Sequence, residues 1–203
     1  MSRYNIIMIR RISLLTLGLF LAVPAFAAPD TVKVSLKTSE GTILVAIDVR
    51  HAPITAKNFL GYVDKKNFDG TTFYRAARAK GVPVGLIQGG IRKNYVRSLP
   101  PIPHEPTSKT GLRHVNGALS MAREAPGTAM GDFFIVVGAQ PSMDAHPEAK
   151  GDNVGYAVFG KVVAGMAVVK KILNAKTFKG GTGAMKGQII EQPVKIIEAR
   201  RVS

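Results

Sequence analysis

Along the chain, Val32, Val34 and Leu36 alternate with Lys33, Ser35 and Lys37, the period-two pattern of a strand with one face in a core. Ser39, Glu40 and Gly41 read as a turn, and the β-branched, apolar run 42–47 reads as the returning strand of a hairpin. Pro53 suits a first helical turn, where a missing N–H costs nothing. Phe59, Tyr62 and Val63 then fall on one helical face, and residues 67–70 (Asn-Phe-Asp-Gly) end the helix in a turn. Short apolar runs at 72–75, 82–88, 118–122, 133–137 and 157–163 predict further strands. A second helix is predicted over 165–173 and a closing strand over 194–199, with loops rich in Pro and Gly at 98–109 and 140–155. There is no internal repeat and no linker. Many short strands between turn signals predict one mainly β domain, a closed barrel with its two helices over the open ends.

The first 27 residues fall outside that pattern. Arg3, Arg10 and Arg11 lead into the apolar run 12–23, Pro24 breaks it, and Ala25-Phe26-Ala27 follows. A basic start, a short apolar run and a small-x-small end predict a secretory signal peptide over residues 1–27, cleaved near Ala27, ahead of a domain over 28–203. An apolar run of about 12 residues falls short of the roughly 20 that span a bilayer. The expectation is a periplasmic or secreted protein with no stable membrane anchor after cleavage.

Composition narrows the chemistry. The 203 residues include no Cys, which excludes a disulfide scaffold, a thiolate nucleophile and Cys-based metal sites. The net charge is +15; removing residues 1–27 takes away three arginines and no acid, leaving +12. Such a field favours anionic partners without fixing a fold. There is no phosphate loop, no Gly-x-Ser-x-Gly and no His-Glu-x-x-His. His51, His104, His114 and His146 are scattered through loop-like stretches and read as solvated, with His104 and Glu105 in a rigid, exposed-looking segment between Pro103 and Pro106. Glu40 and Asp48 flank the first hairpin and read as turn and surface groups. No metal ion and no organic cofactor are expected.

Six pieces do stand out in order: Thr55-Ala56-Lys57-Asn58-Phe59, Phe73-Tyr74-Arg75, Leu86-Ile87-Gln88-Gly89-Gly90, Leu119-Ser120-Met121-Ala122, Asp132-Phe133-Phe134-Ile135 and Val158-Phe159-Gly160-Lys161-Val162. In this order and at these spacings the chain resembles the cyclophilin family of peptidyl-prolyl cis-trans isomerases, over nearly all of its length beyond residue 27. The resemblance implies a closed, eight-stranded antiparallel β-barrel capped by two α-helices. It also implies a reaction that needs neither nucleophile nor acid, rotation about X–Pro amides. By resemblance Arg75 is the catalytic residue. Gln88 binds substrate backbone, Leu86 and Phe134 line the proline pocket, Ala122 presents its backbone, and Tyr156 stands where the family has a histidine or, in bacterial members, a tyrosine.

The same comparison marks departures. Gly85 takes the place of a pocket phenylalanine, so Gly85→Phe is expected to raise activity or leave it unchanged. Arg123 replaces an asparagine, Asp132 a glutamine, and Ser142 or Met143 an aromatic residue. A divergent pocket is therefore expected. The partners implied are proline-containing unfolded or exported polypeptides; nucleic acid is not expected, and the default state is a monomer. A second reading uses Arg78, Lys80, Arg92, Lys93, Arg97 and Arg123 as a basic cluster around Arg75. On that reading the chain is a weakly active or inactive binding module, a chaperone for proline-containing or acidic segments.

Overall fold

A computed structural model describes residues 30–202 apart from Lys93, so the expected signal peptide lies outside the described residues. Among the described residues nine strands are present: β1 (Thr31–Thr38), β2 (Gly41–Asp48), β3 (Thr72–Arg78), β4 (Gly85–Gly90), β5 (Ala118–Met121), β6 (Asp132–Val137), β7 (Ala157–Ala164), β8 (Thr177–Phe178) and β9 (Ile189–Val202). The helices are α1 (Pro53–Asp64), the single turn α2 (Thr107–Thr110) and α3 (Met166–Leu173). The strands pair antiparallel in the order β1-β2-β7-β5-β6-β4-β3-β9, and β9 returns to β1. Eight strands thus close the barrel, and the two-residue β8 hangs on β9 outside that ring.

Alternation decides what fills it. Val34, Leu36, Ile43, Val45 and Ile47 from β1 and β2 point inward and meet Phe59, Tyr62 and Val63 of α1 and Val169, Ile172 and Leu173 of α3. Phe133 sits among aromatic rings, edge-on to Phe59 at 5.3 Å, Phe68 at 5.3 Å and Phe73 at 5.7 Å. Strands β4, β5 and β6 are buried on both faces. Their inward residues Ile87, Leu119, Phe133 and Ile135 join the interior. Their outward residues Leu86, Ala118, Phe134 and Val136, with Val158 of β7, form a separate apolar cluster on the outside of the barrel. Closure leaves no sheet edge there to explain that second layer of apolar side chains.

Helix α1 begins with Pro53 but has no side-chain cap of its own. The carboxylate of Glu105 supplies one from a distant loop, accepting from Ile54 N (3.1 Å), Thr55 N (2.7 Å) and Thr55 Oγ1 (2.6 Å). A negative group over the first-turn N–H donors also opposes the positive end of the helix dipole. The segment read as exposed is therefore tucked in, with a ring nitrogen of His104 3.0 Å from Val154 O. Strand β4 starts three residues later than expected because Ala79 N bonds to Val84 O (3.0 Å), closing a turn over the intervening residues. Strand β9 is longer than the expected 194–199, since its pairing with β3 resumes at Ile189 beyond an outward excursion holding Pro193. Among the described residues no helix is long and apolar enough to cross a membrane.

Candidate active site

Strand β3 carries one residue too many for regular pairing. Phe73 faces Gly89 and Arg75 faces Gln88, so Tyr74 is an extra residue, a β-bulge. Strict alternation from Phe73, which is inside, would send Arg75 inside as well. The bulge instead leaves Tyr74 and Arg75 together on the outer face and returns Ala76 to the interior. From Arg75 the register runs straight across the barrel wall: Arg75 opposite Gln88, Gln88 opposite Phe134, Phe134 opposite Ser120, and Ser120 opposite Val158. One row over five strands thus places a guanidinium, an amide and an aromatic ring side by side on the outer apolar cluster.

Arg75 is half-buried, and its donors are directed. Nη1 donates to Gln88 Oε1 (2.8 Å), Nε to Gln188 Oε1 (2.7 Å) and Nη2 to Ala184 O (3.3 Å). A guanidinium has five N–H groups, so one on each Nη is left for another acceptor. Burial pulls the Arg75 pKa below its ordinary value, and the nearby Tyr74 and Tyr156 phenols act against that. Gln88 is buried and passes its Nε2–H to the Tyr74 hydroxyl (2.8 Å). Burial, and then the nearby Asp132 carboxylate, push the Tyr74 pKa well above the ordinary tyrosine value. Asp132 Oδ1 also accepts from Arg92 N (2.9 Å), and the Arg92 guanidinium lies 5.1 Å over the Tyr74 ring.

The apolar half of the site is equally supported. The Tyr156 ring stands edge-on to Phe134 at 5.4 Å, and the His114 ring lies parallel to Phe134 at 5.9 Å. His114 is buried, with Nδ1 2.7 Å from Asp144 Oδ1 and Nε2 3.0 Å from Ser120 Oγ. Burial lowers its pKa despite the Asp144 carboxylate. His114 therefore departs from the solvated loop position expected of it. Leu86 packs in the same cluster as Phe134, with Met143, Ala122 and Tyr156 at its margin. The N–H of Ala122 is taken by Asp132 O (2.9 Å).

A family model, that of the cyclophilin type peptidyl-prolyl cis-trans isomerases, matches residues 32–201. The chain belongs to this family. Similar curated relatives include a peptidyl-prolyl cis-trans isomerase of Acinetobacter baylyi, 35% identical over 95% of this chain and 96% of that protein. The peptidyl-prolyl cis-trans isomerase A of Dickeya dadantii is 37% identical over 86% of this chain and 90% of its own. Among solved structures, a cyclophilin type isomerase of Cryptosporidium parvum in the presence of the dipeptide Ala-Pro superposes with a TM-score of 0.65. It is 23% identical and covers 84% of this chain and 99% of its own, a likeness of fold. The chain is a peptidyl-prolyl cis-trans isomerase.

Within this cyclophilin all six expected site residues, Arg75, Gln88, Leu86, Phe134, Ala122 and Tyr156, gather on one outer face. A further expectation fails. Gly85 does not leave a gap in the pocket: it neighbours Leu86 on the opposite face of β4. A Cβ there would collide with Ala77 O and meet Leu173 Cδ1 at 3.0 Å. The expected basic cluster is divided, with Arg92 over the Tyr74 ring beside Arg75 and others engaged elsewhere. Arg78 caps the end of α3 on Leu173 O (2.7 Å) and Ala175 O (2.8 Å), and Arg97 bonds to Asn67 O (3.3 Å) and Asp69 O (2.6 Å). The buried Arg123 side chain grips Asp152 with two donors (2.7 and 2.8 Å) and covers the Tyr156 ring at 5.1 Å. Arg78 and Arg97 are thereby committed to backbone carbonyls, whereas Arg92 and Arg123 lie over rings of the site. Lys93 lies outside the described residues. Sequence reasoning missed Gln188, which is 113 positions from Arg75 in a Gly-rich stretch with no periodic signal. It also missed His114 as a support of Phe134, since loop histidines look alike in sequence.

Proposed function

We propose that the chain isomerises X–Pro bonds by arginine-assisted rotation, and that it does so outside the cytoplasm on proline-containing unfolded or exported polypeptides. The observation that carries this reading is the row Arg75–Gln88–Phe134, with free N–H groups of the guanidinium beside an apolar face. Resonance gives the amide a barrier of about 18–20 kcal/mol, and uncatalysed exchange takes roughly 10–100 s. At the top of that barrier the prolyl nitrogen is pyramidal and carries a lone pair that the planar amide lacks. An N–H of Arg75 donating to that lone pair binds the twisted amide better than either planar isomer, which is what lowers the barrier. Arginine suits the task because it stays charged and presents donors in a fixed plane.

The proline ring rests on Phe134 and Leu86, Tyr156 borders it, and the Ala122 carbonyl and the Gln88 amide address the flanking backbone. No bond breaks, so neither metal nor organic cofactor is needed. The site outside the barrel needs no second copy of the chain, consistent with a monomer. Residues 1–27 carry the export reading, and the Ala-Pro dipeptide with the Cryptosporidium relative supports the choice of ligand.

The test is isomerase turnover of the mature chain on a short X–Pro peptide by exchange NMR, at low and high salt, with Arg75→Ala beside it. Catalysis indifferent to salt and lost at least roughly tenfold in Arg75→Ala is expected for the removal of one preorganised donor. Peptide binding without turnover, weakening steeply with salt, would replace the enzyme reading by a binding module for acidic segments.

A further inference from the structure

We infer that Gln188 is a positioning residue for this reaction, its side-chain carbonyl fixing the plane of the Arg75 guanidinium. The inference rests on the reading of Arg75 given above. Gln88 takes a proton of Nη1 at 2.8 Å and Gln188 takes the proton of Nε at 2.7 Å. One acceptor alone leaves the guanidinium free to swing about that contact. Two acceptors on non-equivalent nitrogens define its plane and so the direction of the remaining Nη protons.

The backbone of Gln188 is tied to the strand it serves. Its carbonyl accepts from Ala76 N (2.9 Å), its N–H donates to Met185 O (3.0 Å), and the next residue, Ile189, pairs with Arg75 itself. The preceding loop folds back through Gly187 N to Gly180 O (2.9 Å), with Gly181 and Gly187 at positive φ of 94° and 76°. The same loop brings Ala184 O to within 3.3 Å of Nη2. A side-chain carbonyl accepts the Nε proton at this length, and the carboxylate of a glutamate keeps the same acceptor.

Turnover and KM are measured in Gln188→Ala, Gln188→Glu and Arg75→Ala, with Gln188→Met as a variant of similar length that lacks the acceptor, and the Arg75 Nε–H resonance is followed in the parent and the Gln188 variants. Loss of one charge-assisted hydrogen bond predicts about a tenfold lower kcat in Gln188→Ala and Gln188→Met, with KM within about twofold. The Nε–H resonance is expected to lose its protection from solvent exchange in both. Gln188→Glu is expected to keep that resonance and to recover turnover to within about threefold of the parent. Gln188→Ala in an Arg75→Ala background is expected to cost nothing further. Unchanged kcat or an unchanged Nε–H resonance in Gln188→Ala and Gln188→Met overturns the inference, as does Gln188→Glu no better than Gln188→Ala. If Arg75→Ala itself turns over like the parent, the reading of Arg75 fails first; if only Arg75→Ala is impaired, the role of Gln188 alone is refuted.

Discussion

Tyr74→Phe removes a single oxygen from the centre of the polar network and probes how Gln88 is oriented. The Tyr74 hydroxyl is buried and accepts the Nε2–H of Gln88 at 2.8 Å. That arrangement forces the other end of the amide, Oε1, toward Arg75 Nη1. In Tyr74→Phe the Gln88 amide has two options. Kept in place, it leaves Nε2–H buried without an acceptor, a cost of about 1–3 kcal/mol. For a chain of this size that is a fall of roughly 2–12 °C in Tm. Flipped, it sets donor against donor and breaks the bond to Arg75, with a loss in turnover of about tenfold. Differential scanning calorimetry and exchange NMR on the same sample read both. The cycle with Gln88→Leu supplies the control: with the amide gone, Tyr74→Phe is expected to cost little more. Tyr74→Phe with parental Tm and turnover, or strictly additive costs in the cycle, would refute the orientation argument.

Two other expectations are independent of that network. Gly85→Phe places its Cβ against Ala77 O and its ring under α3, so it is expected to destabilise the barrel by more than about 3 kcal/mol rather than to improve the pocket; a soluble variant melting near the parent would show the strand packs differently. His114 is held neutral by burial, so between its lowered folded pKa and the unfolded value of about 6.5 the unfolded chain binds the extra proton. Stability is therefore complete above pH 6.5 and declines as the pH falls below it. The guanidinium chloride midpoint should be lower at pH 5.5 than at pH 7.5, a difference reduced in His114→Gln, and a flat profile for the parent would contradict the assignment.

Much of the barrel was legible because its signals are local. The alternation of Val32, Val34 and Leu36, and the i, i+3, i+4 spacing after Pro53, are set by neighbours along the chain, and β1, β2 and α1 follow them. Strand β9 was read short because Pro193 looks like a boundary, whereas pairing with β3 resumes on its far side. For the site, family resemblance located Arg75, Gln88 and Phe134, but period-two reasoning alone would have buried Arg75 beside Phe73. The bulge that prevents this is a property of two strands together and leaves no mark in either one. Gly85 misled for a related reason: aligned motifs give an order of residues, while the face of the strand decides which of them meets a ligand. Among the basic residues, the carbonyl partners of Arg78 and Arg97 and the carboxylate partner of Arg123 are set by folding and leave no local mark in the sequence.

The apolar face beside Arg75 is the reverse side of the strands that carry the core. Leu86 and Phe134 point out from the positions next to Ile87 and Phe133, which point in. The two layers share one set of strands, so the outer cluster cannot soften much before the barrel does. Heating should therefore leave that face intact until the whole domain gives way, so that loss of activity and loss of the fold share one transition.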